Sequence, residues 1–569
     1  MASLMPQVAL WVKAEPFTVG SLPVPPHARL TTHNIKKIVS YAKNKGKLGY
    51  PNLSYSVWKH IACNKLQLPE DIAWMYFTTF DLLGSTSNEA RLELDKKFAR
   101  SSSQHEIDLL KCQLSVPTLQ FVLFLHIQHM QKISLRASLV SGSDEWPTRS
   151  RSPDIEGRTT PTGGTNKSLD EHHHMTFVLN NLNEIMELMV EPDSYSAGSN
   201  TNDLSLSIEA VEALDFLISG SLEGSRAVKP LHQIALMQQM HPTSGYSKIS
   251  RSFSYRSLQT WLRSHIGQNP FGVSSCIAQG RRLSWPLAGE DKEARADIKR
   301  GRIATNALLV PKDQTKGNKL ILMSQVVRQT VGRSSGTLEG STIKIHRCHF
   351  SYIYLLSPLR SVSIEKCRNS TILLGAVQTC VQLSHCENVT IIAACRTFVA
   401  SASSNCTMHL MTPNTPIVCS GNESLVFGPY HSYYGSLEEH LRKAGLSTLP
   451  NLWDKPLCIG TDHQDEFPVW EIMNPKDFYV FSVPFDMEGP TKCIPGGLPA
   501  RFQKALVSRE RQIETWQKMV KDAGLSKEQK RQFQAVVESR FQEWLNETGH
   551  KRELDGLAVS SCSTRSSRK

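Results

Sequence analysis

The chain has 569 residues, of which 40% are hydrophobic and 20% charged, so it is too long for one core and too ordinary in composition for wholesale disorder or a membrane class. Its formal charge of +12 raises the question of a nucleic-acid partner, but half of the excess lies in residues 499–569, where 15 Lys and Arg stand against 9 Asp and Glu. Those charges are interspersed along helical stretches without an RRM, KH, zinc-finger or basic-zipper pattern, which favours protein partners with acidic surfaces over nucleic acid.

The opening MASLMPQVALWVKAEPF places Pro6 before a short apolar run and Lys13 and Glu15 after it, which does not fit a signal peptide, so a cytoplasmic location is expected. Residues 1–137 read as a helical N-terminal domain, with helices expected over 70–83 and 115–132. In the second, Ser115 takes an N-cap position and Pro117 the first turn. Its LQFVLFLHI stretch falls short of the ~20 apolar residues that span a bilayer. Trp58, Trp74 and Tyr76 are expected in the core.

Residues 138–171 are rich in Ser, Thr, Pro and Gly and read as a disordered linker. The run Glu171-His172-His173-His174 sits beside it with no second ligand cluster, so no metal site is expected. Residues 172–299 form a second helical region, with helices over 175–190, over 207–219 stopped by Gly220, and over 254–266 stopped by Gly267. The thirteen cysteines contain no CxxC pair and read as reduced thiols, and no cofactor motif occurs.

From residue 300 to 435 the pattern changes to short β-strands with an internal period. Cys348, Cys367 and Cys386 are spaced by 19 residues, and Cys406 follows after 20. In the same register stand Ile343, Val362 and Val381, then Ile345, Ile364 and Leu383, with Asn369 and Asn388 at a turn. Alternation within each unit has period two, so the repeat is strand and turn, and the stack is a parallel β-helix. The inward columns place Lys344, Ser363 and Gln382 on one exposed face, beside His346, Glu365 and Ser384.

These coils, with HRCHFSYIYLLSPLRSVSIEKCRNSTILLG and VQLSHCENVTII, resemble the C-CAP/cofactor-C-like domain of tubulin-binding cofactor C, the retinitis pigmentosa 2 protein and cyclase-associated proteins. The resemblance implies a right-handed β-helix. WVKAEPF, YSVWKHIACNKLQLPEDIAW, TWLRSHIGQNPFG and IPGGLP extend it, across nearly the whole chain, to a longer animal branch of that family. Members of the family present a Q-x-R-x-H-x-C segment whose arginine stimulates GTP hydrolysis by a partner. With its Cys on Cys386, the arginine falls on Gln382, the first Gln on Cys380 and the His on Ser384. Neutral glutamine cannot supply the cation of an arginine finger, which is worth ~10³ to 10⁵ in rate. Lys344 lies two coils away in the same column, while Arg360, Arg368 and Arg396 read as surface charges outside it.

Residues 436–498 are a mixed segment, residues 499–550 a helical hairpin turning at Gly524 with Ser526 and Gln529 as a capping box, and residues 551–569 a basic disordered tail. Packing of the hairpin over the open end of the β-helix is expected ahead of coiled-coil dimerisation. The reading that follows is a non-catalytic cytoskeletal adaptor with a candidate partner-binding face of Lys344, Ser363, Gln382 and Ser384 and no catalytic residue. The resemblance implies a centrosome or spindle-pole location, a role in centrosome positioning, Golgi organisation and cell shape, and contact with a GTPase or tubulin. A GTPase-activating protein for tubulin or an Arf-like GTPase is the alternative.

Overall fold

The computed structural model describes residues 8–22, 27–84, 86–141, 169–190, 204–222, 227–237, 243–282, 302–306, 319–334, 336–459, 469–483, 491, 493–548 and 551. The interior of the expected linker and most of the basic tail lie outside these residues. The chain divides into two compact units, Met1–Arg281 with Ala304–Ile321, and Arg282–Ile303 with Leu322–Lys569.

The first unit departs from the expected separation of residues 1–137 and 172–299, because its sheet joins the two. Val8–Val12 pairs antiparallel with Ile218–Leu222 and parallel with Ile266–Gly267. Gly220 therefore lies within a strand rather than ending a helix. A Cβ there would come within 2.5 Å of the Leu10 side chain, a close approach that only glycine allows. The expected helix over 207–219 is instead the short Ile208–Ala213, followed by a 3-10 turn and that strand.

The same local grammar recurs in this unit. Strands Asn52–Ser54, Ser205–Ser207 and Ser252–Ser254 each end on a serine that caps the next helix. The hydroxyls of Ser54, Ser207 and Ser254 accept from the backbone N–H groups of Val57, Ala210 and Ser257, satisfying first-turn donors. Ser115–Pro117 is likewise a strand, paired with Asn52–Ser54, so the following helix begins at Thr118 and continues to Ser141, past the boundary at 137. The helix Glu70–Leu83 matches its expectation.

Trp58 is fully buried, donates Nε1–H to the Ala73 carbonyl at 2.8 Å and meets Phe121 edge-on at 4.9 Å between ring centroids. The helix Leu169–Asn180 carries the histidine run, of which His174 is buried in this core and His172 is exposed. Glu171 accepts from the N–H groups of Val273 and Ser274, and His174 stacks on Phe17 at 4.8 Å.

A parallel β-solenoid of about six turns runs over residues 320–429, nearly all of it in the second unit. Thr342–His346 pairs in parallel with Ser361–Glu365, which pairs in turn with Arg368–Ser384 and that strand with Glu387–Ser401. Ile345, Ile364 and Leu383 stack directly and are at most 1% exposed, as the alternation requires. The thiols of Cys348, Cys367 and Cys386 fill a second column. Cys406 does not continue it, because a 17-residue turn brings Ser403 to the next rung, where its hydroxyl accepts from Cys386 N–H. Cys406 falls three residues further along, beside Val389, since Thr390 pairs with Thr407. The irregularities that reset the register lie between Leu373 and Ala376 and between Val377 and Cys380.

Two corners hold each coil in shape, and both place non-glycine residues in the left-handed region. One corner stacks Arg347, Lys366 and His385 at φ 52–55°, the other Phe350, Asn369 and Asn388 at φ 47–55°. Asn388 donates Nδ2–H to Asn369 Oδ1 at 2.7 Å, linking successive rungs of the second corner.

The solenoid continues beyond residue 435. Leu457–Cys458 pairs with Ile417–Val418, Trp470–Ile472 with Leu425–Phe427, and Phe481–Ser482 with Ser432–Tyr433, all in parallel. The expected mixed segment therefore supplies strands to the last coils, and it is this segment, rather than the hairpin, that occupies their edge. The helices Ala500–Asp522 and Lys527–Thr548 form the expected hairpin, with Gly524 at φ +56°. Ser526 and Gln529 exchange the two capping-box hydrogen bonds at 3.0 and 3.2 Å. The hairpin is fastened at its base by Phe502, against Phe478 and Trp453, and by Arg509, which donates to the carbonyls of Phe478 and Lys476. Beyond that base Ile513, Trp516, Met519, Val537, Phe541 and Trp544 are exposed, while Leu545 is buried.

Candidate functional site

The outward column of the solenoid arises from the same alternation as its core. Lys344 pairs with Ser363, Ser363 with Gln382, and Gln382 with Val399. Lys344, Ser363, Gln382 and Ser384 are each half-buried, in contrast to the closed Ile345, Ile364 and Leu383 column beside them. His346, Glu365 and Ser384 run in the parallel outward column. One strand thus offers Gln382 and Ser384 together, while Lys344 stands two rungs away, about 9.6 Å at strand spacing.

The three arginines outside this column differ in kind. Arg368 is exposed and pairs with Glu387 of the next rung at 3.2 Å. Arg396 is only 6% exposed, so it is not a surface charge: its guanidinium donates to the Gly445 carbonyl just past the helix Leu437–Lys443 and fixes that helix against the solenoid. Arg360 is half-buried, and its carbonyl accepts from Thr379 Oγ1 at 2.7 Å.

At Cys380, where the family pattern has its first glutamine, the thiol is 1% exposed and burial pushes its pKa well above the ordinary value. Cys406 and Cys419 are pushed up by burial to about 11 and about 12. These thiols are protonated packing groups, without the thiolate that nucleophilic or metal chemistry requires. Among the described residues no group of three or more His, Cys, Asp or Glu is placed to hold a metal ion. No helix among them is long and apolar enough to cross a membrane.

Sequence alternation did not single out the corner beside this face. Arg347, Lys366 and His385 occupy one corner column, with His349 and Arg368 on the short edge that follows. Next to them Val327 and Phe350 are 38% and 36% exposed, and the Arg328 guanidinium lies 5.9 Å from the Phe350 ring centroid. The signal was present as the residue before each cysteine of the ladder. It gains meaning only once left-handed corners turn those side chains outward in register. The resulting edge combines cations with an exposed aromatic ring, a chemistry suited to acidic protein surfaces.

Comparison with known proteins agrees with this geometry. The family model for tubulin binding cofactor C matches residues 340–457, which include the outward column and end at the first residue of the strand Leu457–Cys458. TBCC domain-containing protein 1 of Homo sapiens is 45% identical over 556 residues, covering 97% of each chain. The proteins of the same name from Gallus gallus and Danio rerio are 43% and 44% identical, covering 97% and 96% of this chain and 97% and 93% of their own. A tubulin-cofactor-C-like solenoid within a chain that aligns end to end with such relatives means that the protein belongs to the TBCC domain-containing protein 1 family.

Proposed function

We propose that the protein is a non-enzymatic cytoskeletal adaptor whose solenoid face and cationic corner bind a protein partner. The observation that carries this reading is Gln382, which stands outward in register with Lys344 and Ser363 at the position where the cofactor-C pattern presents its arginine. A neutral amide there retains a surface for docking but supplies no positive charge to a phosphoryl group in transfer. Cys380 and Ser384 replace the two other polar residues of that pattern, so the surface that would aim an arginine is changed as well. The resemblance to tubulin cofactor C supports tubulin or an Arf-like GTPase as the class of partner. The family resemblance supports a site of action at the centrosome and spindle pole, in centrosome positioning, Golgi organisation and cell shape.

Single-turnover GTP hydrolysis by tubulin or an Arf-like GTPase, with the purified protein at saturation, tests the reading. No stimulation is expected from the wild type. Strong wild-type stimulation that Lys344→Ala abolishes would replace the adaptor with an enzyme using a displaced cation. Tracking the tagged protein in dividing cells tests the location, and a signal absent from the poles would overturn that part.

A further inference from the structure

The most apolar exposed surface among the described residues is the helical hairpin. Ile513, Trp516, Met519, Val536, Val537, Phe541 and Trp544 are 41–60% exposed, and of the hairpin's large side chains only Phe502 and Leu545 are closed off. Trp516 meets Phe533 across the turn at 5.9 Å, and Phe541 stacks on Trp544 at 5.9 Å. Two helices cannot bury a stripe of this width between themselves, because each side chain on the seam keeps one flank open to water. The exposed part of these seven side chains amounts to on the order of 700 Å² per hairpin, close to the ~800 Å² per partner of a stable protein interface.

The charges name the occupant. The helix Lys527–Thr548 opens with Lys527, Lys530 and Arg531 against Glu528, and closes with Glu538, Glu543 and Glu547 against Arg540. Its first half is basic and its second half acidic. A second copy laid antiparallel, with the two-fold axis near Val537, sets each basic half beside an acidic half, whereas a parallel copy would set like beside like. The second helix thus carries a charge pattern complementary to itself, and the two helices of the hairpin together an apolar stripe of sufficient area. A four-helix arrangement of two hairpins closes the stripe on both sides.

We propose that two copies of the chain associate through this hairpin as an antiparallel, two-fold-symmetric four-helix bundle. This goes beyond the adaptor reading and does not depend on whether the solenoid face acts on a GTPase. The dimer presents two solenoid faces at once and so binds a multivalent partner by avidity.

Sedimentation equilibrium and light scattering on the full chain at rising concentration test the proposal. The wild type is expected to reach twice the monomer mass. Val537→Glu, which brings two carboxylates together at the two-fold axis, is expected to remain monomeric with unchanged circular dichroism, because Val537 is already 41% exposed. Glu543→Lys with Glu547→Lys makes the helix basic throughout, and Lys527→Glu with Lys530→Glu makes it acidic. Each of these variants is expected to self-associate about tenfold more weakly, and a mixture of the two to pair with each other. A wild type that stays monomeric at the highest concentration overturns the proposal, as does a dimer indifferent to all three variants. A monomer whose tryptophan emission shifts to the blue on anionic lipid vesicles overturns it as well, and assigns the stripe to a membrane surface.

Discussion

Replacing Ile364 by aspartate probes the alternation on which both the core and the candidate face depend. Ile364 is fully buried between Ile345 and Leu383 in adjacent rungs. Removing its branched side chain from a closed column costs about 2–5 kcal/mol. A carboxyl with an ordinary pKa of about 3.9 must also be held neutral there at pH 7, which costs about 4 kcal/mol more. The sum of about 6 kcal/mol or more is comparable to the whole stability of an ordinary domain, ~5–15 kcal/mol. Ser363→Asp, one residue earlier on the same strand, points outward and is expected to change stability by no more than about 0.5 kcal/mol. Urea unfolding followed by circular dichroism compares the two variants. Ile364→Asp is expected to unfold without denaturant or at a much lower midpoint, while Ser363→Asp follows the wild type. Equal midpoints for the two variants would refute the assignment of inward and outward columns.

Acid sensitivity should arise in part from His409 and His431, whose rings stack at 3.6 Å within the second unit. Burial lowers the pKa of His409 to about 4 and that of His431 well below its usual value. The unfolded chain then binds protons between about pH 6.5 and 4 that the folded one refuses, so stability is full above 6.5 and declines as pH falls through that window, by about 3 kcal/mol for His409 alone. The double variant His409→Phe and His431→Phe should flatten the dependence of the urea midpoint on pH, and an unchanged slope would show that the rings do not resist protonation. Thiol labelling gives an independent check on the coils: Cys493 is exposed and should react with a maleimide at once, whereas Cys348, Cys367 and Cys386 should react only in urea. Rapid native labelling of Cys367 would contradict a closed ladder.

The β-solenoid was legible in the sequence because its order is nearly one-dimensional. The rungs Thr342–His346, Ser361–Glu365 and Val381–Ser384 pair in parallel 19 residues apart, so Ile345, Ile364 and Leu383 stack with the spacing at which they recur in the chain. The outward position of Gln382 follows from the same alternation, as do the hairpin turn at Gly524 and the cap at Ser526, whose causes lie within a few residues. What the sequence alone did not determine depends on partners distant in the chain. Gly220 could be read as a helix stop until Leu10, more than two hundred residues away, was found pressed against it. Ser115 has the chemistry of an N-cap, yet the strand Asn52–Ser54 draws it into a ladder. Cys406 follows after 20 residues, close to the ladder's spacing, but loses the column, because a shorter turn resets the register after Cys386. Residues 457–482 complete the last coils through strands of two or three residues, too short to carry a periodic signal of their own. Periodicity and capping report free energies that a chain meets with its neighbours, whereas close approach, register and edge pairing are decided by which surface the rest of the molecule brings up against each segment.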